Sequence, residues 1–177
     1  LGILRDDFEL TAERLRDAAA SHDLILASGG VSTGEADFVK AAVESVGTLV
    51  FWRMAIKPGR PVAMGVIAGK PFIGLPGNPV ASFVTFAHIA RPAIAALAGM
   101  TPRPALAVPL PAAFSYRKKE GRREYVRASL RATDDGGFEA MKFPREGAGL
   151  LSSLVATDGI VELVAERGAA RRRRSDG

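Results

Sequence analysis

Apolar and polar positions follow two different periods along this chain, and the change falls near residue 102. In the first stretch Phe8, Ala12, Leu15 and Ala19 recur at i, i+4, i+7 and i+11, among Glu13, Arg14, Arg16 and Asp17. That spacing predicts an amphipathic helix. Leu24–Ala27 is a short continuous apolar run, as expected of a parallel strand buried on both faces. Val39, Val43 and Val46 give the next helix its buried stripe, and Gly47 stands where a C-cap glycine would close it. Leu49–Trp52 is the following strand, and Leu1–Leu4 reads as the end of an earlier one. This alternation predicts a three-layer αβα domain with a mostly parallel sheet. Val62–Ile67 and Phe72–Leu75 flank Ala68-Gly69-Lys70 and read as a hairpin at the sheet edge. Asn78 is a favoured N-cap and Pro79 a favoured first helical residue. A helix should follow through Phe83, Val84 and Ala87, kinked or broken near Pro92 and ended by Gly99.

Thr101-Pro-Arg-Pro104 reads as a linker, and beyond it the period becomes two. Leu106, Val108 and Leu110 alternate, as do Tyr125/Arg127/Ser129/Arg131 against Val126/Ala128/Leu130/Ala132. Asp134-Asp-Gly-Gly137 is a turn leading into Phe138–Phe143, and Ile160–Val164 is a last strand. The domain reading is therefore an α/β unit over 1–102, a small β unit over 103–168 and a basic, disordered tail over 169–177. No internal repeat is evident.

Charge changes the picture only at the end of the chain. The net charge is +5, but residues 1–102 hold nine Lys/Arg and nine Asp/Glu. The excess lies in the second part, where Arg171 to Arg174 carry most of it. The basic character thus reports a tail and not a nucleic-acid-binding face. There is no cysteine, so disulfide and thiolate chemistry are excluded, and a reducing cytoplasm fits. No apolar run is expected to cross a membrane. The chain opens in Leu-Gly-Ile-Leu without an initiator Met and reads as part of a longer protein.

The candidate chemistry sits in three Gly/Pro-punctuated loops that follow strands, where open α/β sheets bind ligands. In Ser28-Gly29-Gly30-Val31-Ser32-Thr33-Gly34 the glycines let successive N–H groups face one concavity, which suits phosphate oxygens. Ser32 and Thr33 add hydroxyl donors. The loop is neither a Walker loop nor a dinucleotide fingerprint. Glu35 and Asp37 follow where the next helix begins, a position that also suits plain charge complementarity. Asp6 lies in the corresponding loop of the preceding strand, so Asp6 and Asp37 together offer a Mg²⁺ site. Arg53, Lys57 and Arg60 form a cationic loop in which Pro58 is rigid and Gly59 permissive. Gly74-Leu-Pro-Gly-Asn-Pro79 brings a helix N-terminus to the same edge. His22 and His88 lack metal-ligand spacing. From the residues alone, the reading stops at a phosphate-bearing ligand with a second anion or a metal ion.

Three motifs then add a resemblance. Ser28-Gly-Gly-Val-Ser-Thr-Gly-Glu-Ala-Asp37, Phe51-Trp-Arg-Met-Ala-Ile-Lys-Pro-Gly-Arg-Pro61 and Gly74-Leu-Pro-Gly-Asn-Pro-Val80 resemble the molybdopterin molybdenumtransferases, the MoeA and gephyrin E-domain family. The resemblance implies a molybdopterin-binding α/β domain, then a C-terminal, barrel-like β domain, with an N-terminal portion preceding both. It implies insertion of molybdate into adenylylated molybdopterin with release of AMP, dependent on Mg²⁺, in a homodimer. It carries functional roles onto Asp6, Asp37, Arg53, Lys57, Pro76, Pro79 and Arg127, and makes Gly29-Gly30-Val31-Ser32 the pterin-phosphate loop. Thr33 and Asn78 join the substrate-binding set, and Asp37, Asp6 and Glu35 the metal set. Arg53 stands where the family often has Lys, and Ala148 where some members carry Ser. A molybdopterin adenylyltransferase shares the first domain but leaves the β unit without a role. A gephyrin-like scaffold and a nucleic-acid binder using the Arg tail are the remaining alternatives. No membrane or nucleic-acid partner is expected.

Overall fold

The computed structural model describes residues 2–30 and 36–163, except the side chains of residues 36–38, 51 and 52. It separates into two compact units, Leu1–Met54 with Gly59–Arg103, and Ala55–Pro58 with Pro104–Gly177. The chain thus leaves the first unit for four residues and returns to it.

The first unit begins with α1 (Phe8–Ser21), which Asp7 caps by accepting the Leu10 N–H at 2.9 Å. Of its predicted stripe Ala12, Leu15 and Ala19 are buried and Phe8 half-buried, and Ala18 is buried beside them. β1 (Ile25–Ser28), α2 (Ala36–Val46), β2 (Gly47–Arg53), β4 (Pro61–Ile67) and β5 (Lys70–Leu75) follow, and β3 (Ile56–Lys57) lies in the four-residue excursion. The strand order is β1-β5-β4-β2. Only β1 and β5 run parallel, and both the β4–β5 and β2–β4 pairings are antiparallel.

The expectation of a mostly parallel sheet is therefore corrected, and connection length is the reason. A parallel pair needs a crossover of about a dozen residues or more. β2 and β4 are joined by residues 54–60 alone, and β4 and β5 by Ala68 and Gly69, with φ of 47° and 77°. Two positive φ values in succession suit a tight hairpin turn. The hairpin also occupies the centre of the sheet and not its edge. β1, at the edge, is buried on one face only: Ile25 is buried, whereas Leu26 is exposed. Gly2–Leu4 form no strand among the described residues, and Ile3 is fully exposed.

Gly47 is likewise not a C-cap. It opens β2 opposite Ile67, outside the positive-φ region, and a Cβ there would lie 2.2 Å from the Val66 carbonyl oxygen. The position requires glycine because two backbones meet.

Leu15, Ala18 and Ala19 of α1 and Ala42 and Val43 of α2 pack with Ile25, Ala63, Ile67 and Phe72 of the sheet. Ile73 and Leu75 of β5 instead meet Ala90, with Leu24, Ile89 and Ala93 alongside. These last helical residues belong to α3 (Pro79–Thr85), a π turn (Phe86–Ala90) and α4 (Arg91–Leu97), which run on without a break. Pro92 lacks an N–H and crowds the turn before it. The wider π turn, closed by the Arg91 N–H onto the Phe86 carbonyl, directly precedes it, and the helix is not broken there. Pro79–Leu97 is 19 residues long and, by length and composition alone, apolar enough to cross a membrane. This corrects the expectation of no such run; Val80, Ala81, Val84 and Ala90 of this helix are buried within the protein.

The second unit is organised on β6 (Arg123–Ala132). β7 (Phe138–Lys142) and β8 (Gly159–Leu163) pair with it antiparallel, and β3 pairs parallel at Arg123 and Glu124. A short helix, α5 (Ser152–Val155), precedes β8. The described strands form an open sheet and not a closed barrel. The predicted strand through Leu106, Val108 and Leu110 is absent, and Leu106 is 93% exposed. Prolines 104, 109 and 111 lack the donors that a ladder uses. At its end the Ala140 N–H donates to the Pro111 carbonyl at 2.8 Å. The Arg-rich tail lies outside the described residues.

The close approach at Gly47 yields a stability test. Gly47→Ala should cost about 1–3 kcal/mol, read as a lower urea midpoint at unchanged m value.

Candidate functional site

In the first unit the parallel pair β1 and β5 places Ser28 opposite Leu75, so the loops after both strands leave from one edge. They are bonded to each other there. The Gly29 N–H donates to the Leu75 carbonyl at 3.1 Å, and the Ser28 hydroxyl donates to the Pro76 carbonyl at 3.4 Å. A Cβ on Gly77 would lie 3.4 Å from the Gly29 Cα. Gly29 and Gly30 adopt φ of 90° and 66°, and a Cβ on Gly30 would lie 2.4 Å from Val39 Cγ2 of α2. Turn and packing together demand glycine at position 30.

Pro76 is buried, Asn78 is the N-cap of α3 and Pro79 opens that helix. The Asn78 carbonyl accepts from the Ser82 N–H at 2.8 Å, but its exposed side chain makes no cap hydrogen bond. Gly29, Gly30, Pro76, Asn78 and Pro79 are thus gathered on the two joined loops. Ser32, Thr33 and Glu35 lie outside the described residues. Asp37 falls in the first turn of α2, with its side chain undescribed. Asp6 is exposed ahead of α1, and it is its neighbour Asp7 that caps that helix. No group of three His, Cys, Asp or Glu that could hold a metal ion occurs among the described residues.

The cationic loop divides between the units. Arg53 ends β2 opposite Pro61 and is exposed; Arg60, also exposed, accepts the Met54 N–H on its carbonyl at 2.9 Å. Lys57 belongs to β3 of the second unit. Its Nζ donates to the Tyr116 hydroxyl at 3.1 Å, and that hydroxyl donates to Glu124 Oε2 at 2.5 Å. Glu124 is only 1% exposed. Its other oxygen accepts from Arg122 Nε at 2.8 Å and from the Lys119 N–H at 3.1 Å. Burial by itself would raise the pKa of this carboxylate. The donors from Tyr116, Arg122 and Lys119 outweigh burial and bring it from 4.5 to about 2. Lys57 is raised, first by the Tyr116 hydrogen bond, against the opposing effect of burial. Lys142 Nζ lies 5.3 Å from the Tyr116 ring centre and pairs with Glu146 at 2.7 Å. That bond is the first cause holding the Glu146 carboxyl below its usual range.

Arg127 is buried on β6. Its Nη1 and Nη2 donate to the carbonyls of Gly147 and Arg145 at 3.2 and 3.1 Å, and the guanidinium lies 5.9 Å from the Phe143 ring centre. Nε is buried without a partner. Arg127 therefore holds the 145–147 loop, and Ala148 follows directly on it.

Sequence reasoning passed over Tyr116, Glu124 and Lys142. One signal was present: the alternating set Val126, Ala128, Leu130 extends back to Glu124, an acid in the apolar phase of a strand. Nothing local marks Tyr116, because its partners are eight and fifty-nine residues away.

Comparison with known proteins bears on both units. The model described as the probable molybdopterin-binding domain matches residues 1–96, and that of the MoeA C-terminal region, domain IV, matches residues 109–171. The chain belongs to the MoeA/gephyrin family. Among its relatives, a molybdopterin molybdenumtransferase of Haemophilus influenzae is 40% identical over 95% of this chain and 42% of its own length. The molybdenum cofactor synthesis protein cinnamon of Drosophila melanogaster is 37% identical over 92% of this chain and 27% of its own. A molybdenum cofactor biosynthesis protein of Pyrococcus furiosus superposes with TM-score 0.71 at 26% identity, covering 96% of this chain and 53% of that one. The chain therefore spans about half or less of the length of these family members.

Glu124 gives this site a pH signature. A carboxylate with a depressed folded pKa adds stability above its unfolded pKa and loses it as pH falls through the folded value. The window here runs from 4.5 down to about 2, with a contribution on the order of 3 kcal/mol. Urea midpoints of the wild type should fall through that window, and Glu124→Gln should remove this component and flatten the acid limb.

Proposed function

We propose that this chain contributes the pterin-binding and C-terminal parts of a molybdopterin molybdenumtransferase, which inserts molybdate into adenylylated molybdopterin and releases AMP. The observation that carries the reading is the pair of joined loops at Gly29–Gly30 and Pro76–Asn78. They set positive-φ glycines beside a helix N-terminus and an uncommitted Asn78 amide, an arrangement suited to phosphate. The match of the second unit to the MoeA C-terminal region favours this reading over an adenylyltransferase, for which that unit has no role.

Within it, the first unit is the three-layer αβα molybdopterin-binding domain, and the second is the barrel-like domain of the family. Gly29, Gly30, Ser32, Thr33, Asn78 and Pro79 hold the pterin phosphate, with Pro76 shaping the loop. Arg53 and Lys57 attract the molybdate oxyanion, and Arg127 belongs to the substrate-binding set. Asp37, with Asp6 and Glu35, would hold Mg²⁺: the donors are all carboxylate oxygens, a set suited to a hard cation. Bound there, the ion would supply neutralisation of phosphate charge. The working form is a cytoplasmic homodimer.

Titration calorimetry with adenylylated molybdopterin tests the phosphate seat. A Cβ at Gly29 meets open space but sits on a φ of 90°, so Gly29→Ala should shift the loop and weaken binding about tenfold, ~1.4 kcal/mol. Asp37→Asn should retain the fold and lose the gain in affinity on adding Mg²⁺. Wild-type affinity in Gly29→Ala would remove the loop from the site.

A further inference from the structure

We infer that Tyr116 and Glu124 are positioning residues that pin Lys57 as a permanently charged ammonium aimed at the oxyanion substrate. The inference rests on the molybdate-binding role proposed above for Lys57. The direction of the relay is forced by valence. A lysine ammonium only donates, an ionised carboxylate only accepts, and a phenol has one proton to give. Since Tyr116 donates to Glu124 at 2.5 Å, it must receive Lys57 on its oxygen at 3.1 Å.

Glu124 does not need Lys57 for its own satisfaction. Arg122 and the Lys119 N–H already fill Oε1, and Tyr116 fills Oε2. It is the lysine that gains a fixed point. Its ammonium stands 3.6 Å from Glu124 Oε2, so the carboxylate attracts it without a direct hydrogen bond. A direct pair would neutralise the charge more fully. The interposed phenol instead holds one N–H and leaves the other two hydrogens of a half-exposed ammonium for a ligand.

The neighbouring ammonium of Lys142 serves as an internal contrast. It lies over the same ring, but a carboxylate four residues on, Glu146, engages it directly at 2.7 Å. The raised proton affinity of Lys57 agrees with the geometry, and its first cause is the Tyr116 hydrogen bond. Glu124, Glu146, Tyr116 and Lys142 are the titratable groups around it. The backbone adds to the fix: β3 pairs with β6 at Ile56–Arg123 and Lys57–Glu124, so the lysine and its buried carboxylate are register partners.

The test follows the Lys57 ammonium directly in the 177-residue chain, using its ¹⁵Nζ resonance, assigned by its loss in Lys57→Ala. Molybdate is titrated in parallel by calorimetry. In Tyr116→Phe the Lys57 resonance should titrate at lower pH than in wild type, and molybdate affinity should fall about tenfold. Glu124→Gln should shift the same resonance in the same direction, which keeps the test decisive if the phenylalanine variant folds poorly. A merely structural Tyr116 would leave the titration where it was. Wild-type titration in both variants, with molybdate binding still abolished by Lys57→Ala, would overturn the positioning role and leave the lysine's own role intact. Molybdate binding indifferent to Lys57→Ala would sink the proposed function of Lys57, while the resonance would still decide whether Tyr116 and Glu124 pin it.

Discussion

A carboxylate with almost no access to water must be met by donors or become neutral, and Glu124 shows how much structure that requirement organises. Desolvating an isolated charge is far more costly than any single hydrogen bond recovers. Four groups therefore converge on it: a phenol, a guanidinium, a backbone N–H and, at one remove, an ammonium. Between them they tie the irregular segment before β6, the strand itself and the short strand β3. The sheet of the second unit is thus anchored where β3 and β8 both meet β6 at Glu124.

The first unit solves a different problem. Its two loop-bearing strands are neighbours, and their loops are joined by the Gly29 N–H on the Leu75 carbonyl and the Ser28 hydroxyl on the Pro76 carbonyl. Gly30 is constrained by its φ of 66° and by Val39, and Gly29 by its φ of 90° alone. On the proposed reading, these loops would present their backbone to the ligand in a shape set by the fold.

Much of this was legible in the sequence, and the failures have physical causes. α1 and the stripe of α2 were readable because helical periodicity needs only local information. The Asn78–Pro79 helix start was readable for the same reason, although the expected side-chain cap is not made. The direction of β4 relative to β2 was misjudged because apolar runs say nothing about orientation; the short connection 54–60 did, just as Ala68-Gly69 marked the β4–β5 hairpin, which was read correctly. Gly47 was misread because a glycine needed for close approach looks the same in sequence as one needed for its φ. The prolines at 109 and 111 were visible signals against the strand expected through Leu106, and they outweigh its alternation. The Lys57, Tyr116 and Glu124 relay was out of reach, since its members are distant in sequence and only folding brings them to one point.

The short stay of residues 55–58 in the second unit also bears on how such a protein can be divided and inherited. A strand of the C-terminal sheet is encoded within the span of the N-terminal unit, so no single cut releases the second unit whole. A segment beginning at Pro104 would lack β3, and with it the lysine that its buried glutamate faces. The two units are interleaved along the chain, and recombination after residue 103 would strip the second unit of a strand while leaving the first with four residues that pair elsewhere.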